Sequence, residues 1–317
     1  MPSLTVVVPA YNEAAVLETF HDRLGRVLDE LPLDGNVLYV DDGSSDATWP
    51  IIEGLMARDA RTGAIRLSRN FGKEAALTAG LDHVDADAAV VIDADLQDPP
   101  ELIPSLVEQW RAGFDVVYAT RTARAGETGF KRLTAALFYR SMERLSDTRV
   151  PRDTGDFRLL SRRALEALRQ LRERQRFMKG LFTWIGYRQT AVYYLREPRQ
   201  AGNTKWNYWR LLNLAIEGIT SFSTVPLRLA TWVGVLSSLL AFLYGLWVFG
   251  KAMLLGDPVH GYPSLMVVIL FLGGVQLLAL GVIGEYLGRN YAESKQRPLY
   301  FIDQEHPPRV RPERGHR

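Results

Sequence analysis

Apolar runs and polar stretches alternate in a repeated order over the first 120 residues. "LTVVVPA" (4–10) reads as a strand. "EAAVLETFHDRLGRVLDEL" (13–31) then spaces its apolar residues as a helix does, with Asn12 as candidate N-cap. "NVLYV" (36–40) is a second strand and "SDATWPIIEGLMARD" (45–59) a helix. "AIRLS" (64–68) is a third strand and "KEAALTAGLDHV" (73–84) a helix. The strand "AAVVID" (88–93), the helix "PELIPSLVEQWRAG" (100–113) and the strand "FDVVYAT" (114–120) complete the series. The strands lack the alternation of a half-solvated sheet. The pattern therefore predicts an α/β domain whose mostly parallel sheet is covered on both faces.

Two later segments have a different pattern. "LATWVGVLSSLLAFLYGLWVF" (229–249) and "SLMVVILFLGGVQLLALGVI" (264–283) carry no charge. As a helix each spans a hydrocarbon core of about 30 Å. The plainer alternative, two buried helices of a soluble core, is disfavoured because neither run has a polar stripe. Gln276 is expected to face the partner helix. Lys251 is the one Lys or Arg in the link between the runs. Lys205, Arg210 and Arg228 precede the pair, and Arg289, Lys295, Arg297, Arg309, Arg311, Arg314 and Arg317 follow it. The positive-inside rule then puts the α/β domain and the tail in the cytoplasm. The expected organisation is a cytoplasmic domain over 1–204 and an interfacial segment over 205–228. Two transmembrane helices follow over 229–288 (at 229–250 and 264–285), then a basic tail over 289–317 whose end, "RPERGHR", is without fixed structure. "GFKRLTAALFYRSMERL" (129–145) is amphipathic and "WNYWRLLNLAIEGITSF" (206–222) is rich in aromatics; each suits a membrane interface or the surface of the sheet.

Composition narrows this picture. With 47% hydrophobic and 23% charged residues the chain is not disordered. A net charge of +2 carries no footprint of a nucleic-acid binder. The absence of cysteine removes disulfides, thiolate metal sites and cysteine nucleophiles, and fits a reducing compartment. No basic leader precedes an apolar core at the start, so no signal peptide is expected.

The candidate chemistry lies where the strands end, because ligands of such sheets bind beyond the strands' carboxyl ends. The five strands run into "PAYNE", "DDGSSD", "RNFGKE", "DADLQD" and "TRTAR". Asp93 and Asp95 can converge on one cation; alone they would repel each other. Mg²⁺ or Mn²⁺, which take oxygen ligands and bridge to substrate phosphates, would resolve the repulsion, with Gln97 offering a neutral amide oxygen. Asp98, before two prolines, is expected to cap the next helix. The plainer reading of these acids is an ordinary cap and first turn. Asp41 and Asp42 reach the same edge and can accept bonds from a base or ribose, and Asp46 is a candidate cap. No Walker loop and no G-x-G-x-x-G fingerprint follows the early strands, so a nucleotide's diphosphate would be met by a metal.

"VVVPAYNE", "DDGSSD", "NFGKEAA", "DADLQDPPE" and "TGDFRLLSR" occur in this order and spacing. Together they resemble family 2 of the inverting glycosyltransferases, with the Rossmann-like GT-A fold. Within it the chain is most similar to polyprenyl-phosphate sugar transferases, namely dolichyl-phosphate mannose synthases and bactoprenol glucosyltransferases. "FMKGLFTWIGYRQ", "REPRQAGNTKWNY" and "GITSFSTVPLRL" before two apolar helices match the bactoprenol branch. The resemblance implies that Pro9, Tyr11, Glu13, Asp41, Asp42 and Lys73 serve the nucleotide donor. It implies that Asp93, Asp95 and Gln97 hold the metal, and that Asp156 sits where the family places its proposed base. Arg121, Arg132, Arg199 and Lys205 become candidates for the acceptor's phosphate. It also implies a homotetramer in the bacterial plasma membrane, taking a nucleotide sugar such as UDP-glucose and a polyprenyl phosphate.

A lipid phosphate monoester has a second pKa near 6, so near neutral pH a base has little proton to remove from it. Asp156 is therefore expected to be essential, with positioning as an alternative to proton transfer. The rival functions are a processive polysaccharide synthase, a membrane-tethered sugar-nucleotide sensor without turnover, and a transporter subunit. The chain has two apolar spans and no Q-x-x-R-W motif, against the first. The paired acids and Asp156 argue against the second, and spans without charge against the third.

Overall fold

The structure, a computed structural model, describes residues 1–121, 154–174, 176–194, 225–255 and 261–309. The chain divides into two compact units, a sheet domain and a helix pair. In the first, β1 (Ser3–Ala10), α1 (Leu17–Glu30), β2 (Asp34–Asp41), α2 (Thr48–Arg58), β3 (Thr62–Leu67), α3 (Lys73–Asp82) and β4 (Ala88–Val91) follow in the predicted order. A 3-10 turn at Pro100–Leu102 leads into α4 (Ile103–Arg111) and β5 (Val116–Arg121). The chain continues with β6 (Thr154–Ser161), α5 (Arg162–Gln170), α6 (Met178–Trp184) and β7 (Gln189–Tyr194). The helix pair is α7 (Val225–Leu255) and α8 (Tyr262–Ser294), after which β8 (Ile302–His306) rejoins the sheet.

The strand order is β7-β5-β6-β4-β1-β2-β3-β8. β1 is parallel to both neighbours, with Val6 opposite Val37 on β2 and Val90 on β4. β6 runs antiparallel between β4 and β5, and β8 antiparallel along β3, so the sheet is mostly parallel with two reversed strands. Every residue of β1 and β4 is buried, as their largely apolar sequences require. From β1 the chain moves one way to β2 and β3, then crosses back to β4 on the other side of β1. That reversal opens a crevice at the carboxyl ends of β1 and β4.

α1 buries Leu17, Phe20, Leu24, Val27 and Leu28, a single stripe at helical spacing. α3 has no such stripe, because Ala76 through Leu81 are all buried. It lies tight against the sheet: a Cβ on Gly80 would meet Val7 Cγ1 at 2.4 Å and Val40 Cγ2 at 2.9 Å. Since α3 follows β3, its first residue, Lys73, is delivered to the carboxyl edge.

Some local expectations fail. Asn12 does not cap α1, which begins at Leu17 without a side-chain cap. It adopts a left-handed backbone (φ 56°), and its amide oxygen accepts the Ser45 N–H at 2.9 Å, joining two loops. Asp98 does not cap the 3-10 turn either; it accepts a hydrogen bond from the Tyr194 hydroxyl. Asp46 does accept the first N–H of α2, from Thr48. Part of the expected tail is strand β8: Ile65 faces Glu305, and Phe301 O accepts the Ser68 N–H. Both amphipathic segments and the end "RPERGHR" lie outside the described residues.

α7 and α8, 31 and 33 residues long, enclose the two expected apolar runs and pack against each other. Buried and half-buried positions on α7 include Leu227, Ala230, Gly234, Ser237 and Ala241, and on α8 Val268, Leu272, Val275, Ala279, Val282 and Tyr286. Their spacing of three and four residues marks a seam with small side chains on one helix, as in membrane helix pairs. Gln276 lies off this seam and is exposed, contrary to expectation. Trp232, Phe242, Trp247, Leu270 and Leu277 are each at least 60% exposed. Such a coat of large apolar side chains is stable in lipid, not water.

Candidate active site

Three strand ends and one helix start build the cleft. β1 contributes Pro9 and Ala10 and then Tyr11 and Glu13; Asp42 follows β2; Asp93, Ala94 and Asp95 follow β4; Lys73 starts α3. The loop after β1 is tied to the loop after β2: Ser44 Oγ accepts the Asn12 N–H at 3.0 Å and Thr48 Oγ1 accepts the Glu13 N–H at 2.9 Å. The turn at Gly43 requires φ 65°, and a Cβ there would lie 2.5 Å from the Arg69 carbonyl carbon. Leu96, a bulky residue at φ 58°, turns the chain just beyond Asp95 and is held there by burial.

Asp42 does more than line the cleft. Its two carboxylate oxygens accept the Phe71 and Gly72 N–H groups at 2.7 and 2.9 Å. That fixes the loop that presents Lys73. The Lys73 ammonium then bridges two acids, at 2.7 Å from Asp93 Oδ2 and 2.6 Å from Asp156 Oδ2. Burial pulls this ammonium's pKa down, but Asp93 and Asp156 outweigh it and the net shift is upward. For Asp156 burial works upward, and Lys73, then Lys179 and Arg158, overcome it and hold the acid at about 2. Its other oxygen, Oδ1, is buried without a hydrogen-bond partner among the described residues.

Three residues of this cluster are not marked as site residues by the motifs of the sequence. Glu74 is raised to about 7, first by burial and then by Asp156, although Lys73 and the Met178 N–H favour its charged form. Arg158 is buried and pulled down to about 10; it donates to the Gly155 carbonyl at 2.8 Å and lies 3.9 Å from the centre of the Phe182 ring. Lys179, lowered by burial, joins them from the first turn of α6. A usable signal existed: Asp156 and Arg158 are spaced i, i+2, which puts both on one face once "TGDFRLLS" is a strand.

Of the expected donor and metal residues, Pro9, Tyr11, Glu13, Asp42, Lys73, Asp93 and Asp95 meet in the cleft. Asp156 joins them through Lys73. Asp41 is fully buried and does not line the cleft. One of its oxygens accepts the Ser44 N–H, the other lies 3.5 Å from Arg66 Nε, and burial raises its pKa. Gln97, 5% exposed, is also absent from the lining; its N–H donates to Asp95 Oδ1 at 3.1 Å. Arg121 ends β5, and its side chain, like all of Arg132, Arg199 and Lys205, lies outside the described residues.

Acidic strand ends around a lysine, at the reversal point of a mostly parallel sheet, define an α/β protein with a polar ligand cleft at its switch point. Residues 5–169 match the model of glycosyl transferase family 2, and residues 225–289 that of the GtrB C-terminal hairpin. An uncharacterized glycosyltransferase of Synechocystis sp. is 52% identical over 299 residues, covering 94% of each chain. The bactoprenol glucosyl transferase of Shigella phage SfV is 47% identical over 302 residues, covering 95% of this chain and 98% of that one. Among solved structures, glucosyl-3-phosphoglycerate synthase from Mycobacterium tuberculosis, in complex with Mn²⁺, UDP-glucose and glycerol 3-phosphate, has a TM-score of 0.47 and 21% identity. It covers 69% of this chain and 78% of that one. The chain belongs to glycosyl transferase family 2.

Proposed function

We propose that the protein transfers glucose from UDP-glucose to a polyprenyl phosphate with inversion, using Mg²⁺ or Mn²⁺. The near full-length likeness to bactoprenol glucosyl transferases supports glucose as the sugar and a polyprenol-type acceptor. The observation that carries the chemistry is the Asp93–Lys73–Asp156 bridge beside Asp95 at the cleft. No group of three or more His, Asp or Glu able to hold a metal occurs among the described residues. Two cleft carboxylates nevertheless fit a hard cation that takes its remaining ligands from water and a diphosphate. Bound by Asp93 and Asp95, such a cation would neutralise the charge that develops on the departing diphosphate.

The chain's own residues do the rest. Tyr11 and Glu13 line the cleft and serve the nucleoside, Asp42 holds the loop that presents Lys73, and Arg121, Arg132, Arg199 and Lys205 serve the lipid phosphate. The acceptor's phosphate oxygen attacks the anomeric carbon as the bond to UDP breaks. That oxygen is already ionised near neutral pH, and an acid held at about 2 is a weak base. Asp156 therefore positions Lys73 and needs to take no proton. The helix pair anchors the enzyme in the bacterial plasma membrane with its sheet domain cytoplasmic, as a homo-oligomer. Membranes containing the protein, given undecaprenyl phosphate, Mg²⁺ and a panel of labelled nucleotide sugars, should pass label from UDP-glucose into the organic phase. Chelator and Asp95→Ala should abolish the transfer. Nucleotide binding without transfer from any donor would leave a sensor or scaffold in its place.

A further inference from the structure

The bridge by Lys73 has a consequence for how the cleft loads. This inference rests on the proposed use of a divalent cation. The ammonium lies 2.7 Å from Asp93 Oδ2, and Asp93 is one of the two cleft carboxylates that would hold the cation. A cation at the usual ligand distance of about 2.1 Å from that carboxylate would stand only about 4 Å from the ammonium, where like charges repel strongly. The two therefore compete for Asp93. The lysine's backbone has little freedom, because Asp42 grips the two N–H groups just before it and α3 is pressed onto the sheet at Gly80. Its side chain, by contrast, is 45% exposed. Asp156, 13% exposed with one oxygen buried and unpartnered, keeps the greater need for a counter-charge.

We propose that Lys73 is a positioning residue that competes with the divalent cation for Asp93: it ties Asp93 to Asp156 while the cation is absent and withdraws to Asp156 when the cation loads. The lysine thereby weakens cation binding to the free enzyme. A nucleoside diphosphate arriving with the cation supplies anionic oxygens that offset the repulsion, so cation and donor load together.

The test is Mn²⁺ binding to the full chain in detergent without nucleotide, followed by the EPR signal of free Mn²⁺. Lys73→Met should bind Mn²⁺ about 3- to 5-fold more tightly than the wild type, the range set by a partly exposed ion pair. Lys73→Gln provides a second neutral variant should the first fold poorly. Lys179→Met removes a charge in the same cluster that makes no ion pair with Asp93, and should change affinity less than about twofold. Added UDP should narrow the gap between wild type and Lys73→Met. Unchanged or weaker binding in both Lys73 variants would overturn the proposal and make the lysine a support for the metal site. Equal tightening in Lys179→Met would overturn it in favour of a general field effect. If no variant binds Mn²⁺, even with UDP, the metal reading itself fails and this proposal with it.

Discussion

Glu74→Gln should stabilise the protein at high pH and leave it nearly unchanged at low pH. Glu74 ionises at about 7 in the folded state, against an ordinary 4.5, because burial and Asp156 oppose its charge. For an acid raised by folding, the unfolded chain releases the proton first as pH rises. Stability is therefore lost between about 4.5 and 7, and the full penalty applies above that window. A shift of about 2.5 units corresponds to about 3.4 kcal/mol at 1.36 kcal/mol per unit; partial exposure of the side chain reduces this to about 2 kcal/mol. Glutamine retains the neutral acid's shape, and its amide oxygen can still accept the Met178 N–H that now meets Glu74 Oε2 at 3.3 Å. For a domain of about 200 residues, 2 kcal/mol is about 4–8 °C in melting temperature. The assay is thermal unfolding of the full chain in detergent, read by intrinsic fluorescence at a fixed scan rate from about pH 5 to 8.5. The difference, variant minus wild type, should be under about 2 °C at pH 5 and rise to the full value by pH 8. A difference that does not change with pH, or a wild type more stable than the variant at pH 8.5, would refute the reasoning.

Asp42→Asn can satisfy only one of the Phe71 and Gly72 N–H groups and turns a donor toward the other, at a cost of about 1.5–3 kcal/mol. Hydrogen exchange should quicken in residues 70–73, and sugar transfer should fall at least about tenfold as Lys73 loses its station. Gly43→Ala puts a methyl 2.5 Å from backbone at φ 65° and should destabilise the domain by at least about 2 kcal/mol in thermal or denaturant unfolding. Removing residues 302–317 strips β8 from β3 and leaves a bare parallel-sheet edge; size-exclusion chromatography should show self-association, and melting should fall by several degrees.

What the sequence could reveal follows from how local each signal is. β1 to β4 and their helices were legible because each strand is buried on both faces and each turn carries its own punctuation. The apolar helices were legible for the same reason, since twenty uncharged residues leave little choice of environment. β6 was visible as a motif, "TGDFRLLSR", but not as a strand, because its neighbours β4 and β5 lie far away in sequence and it carries Asp156 and Arg158 among its apolar residues. β8 reads as polar, "IDQEH", and owes its structure to the open edge of β3, not to any apolar pattern of its own. The same limit applied to the cleft. Acids at strand ends could be listed from the sequence, but their partners could not: the order of strands decides that Lys73 lies between Asp93 and Asp156, and that Asp42 spends both oxygens on the loop behind Lys73. The bridge changes the chemistry assigned to the acids. Without it Asp156 reads as a base; with an ammonium at 2.6 Å it is a fixed anion, and in the proposed mechanism it sets where that ammonium stands.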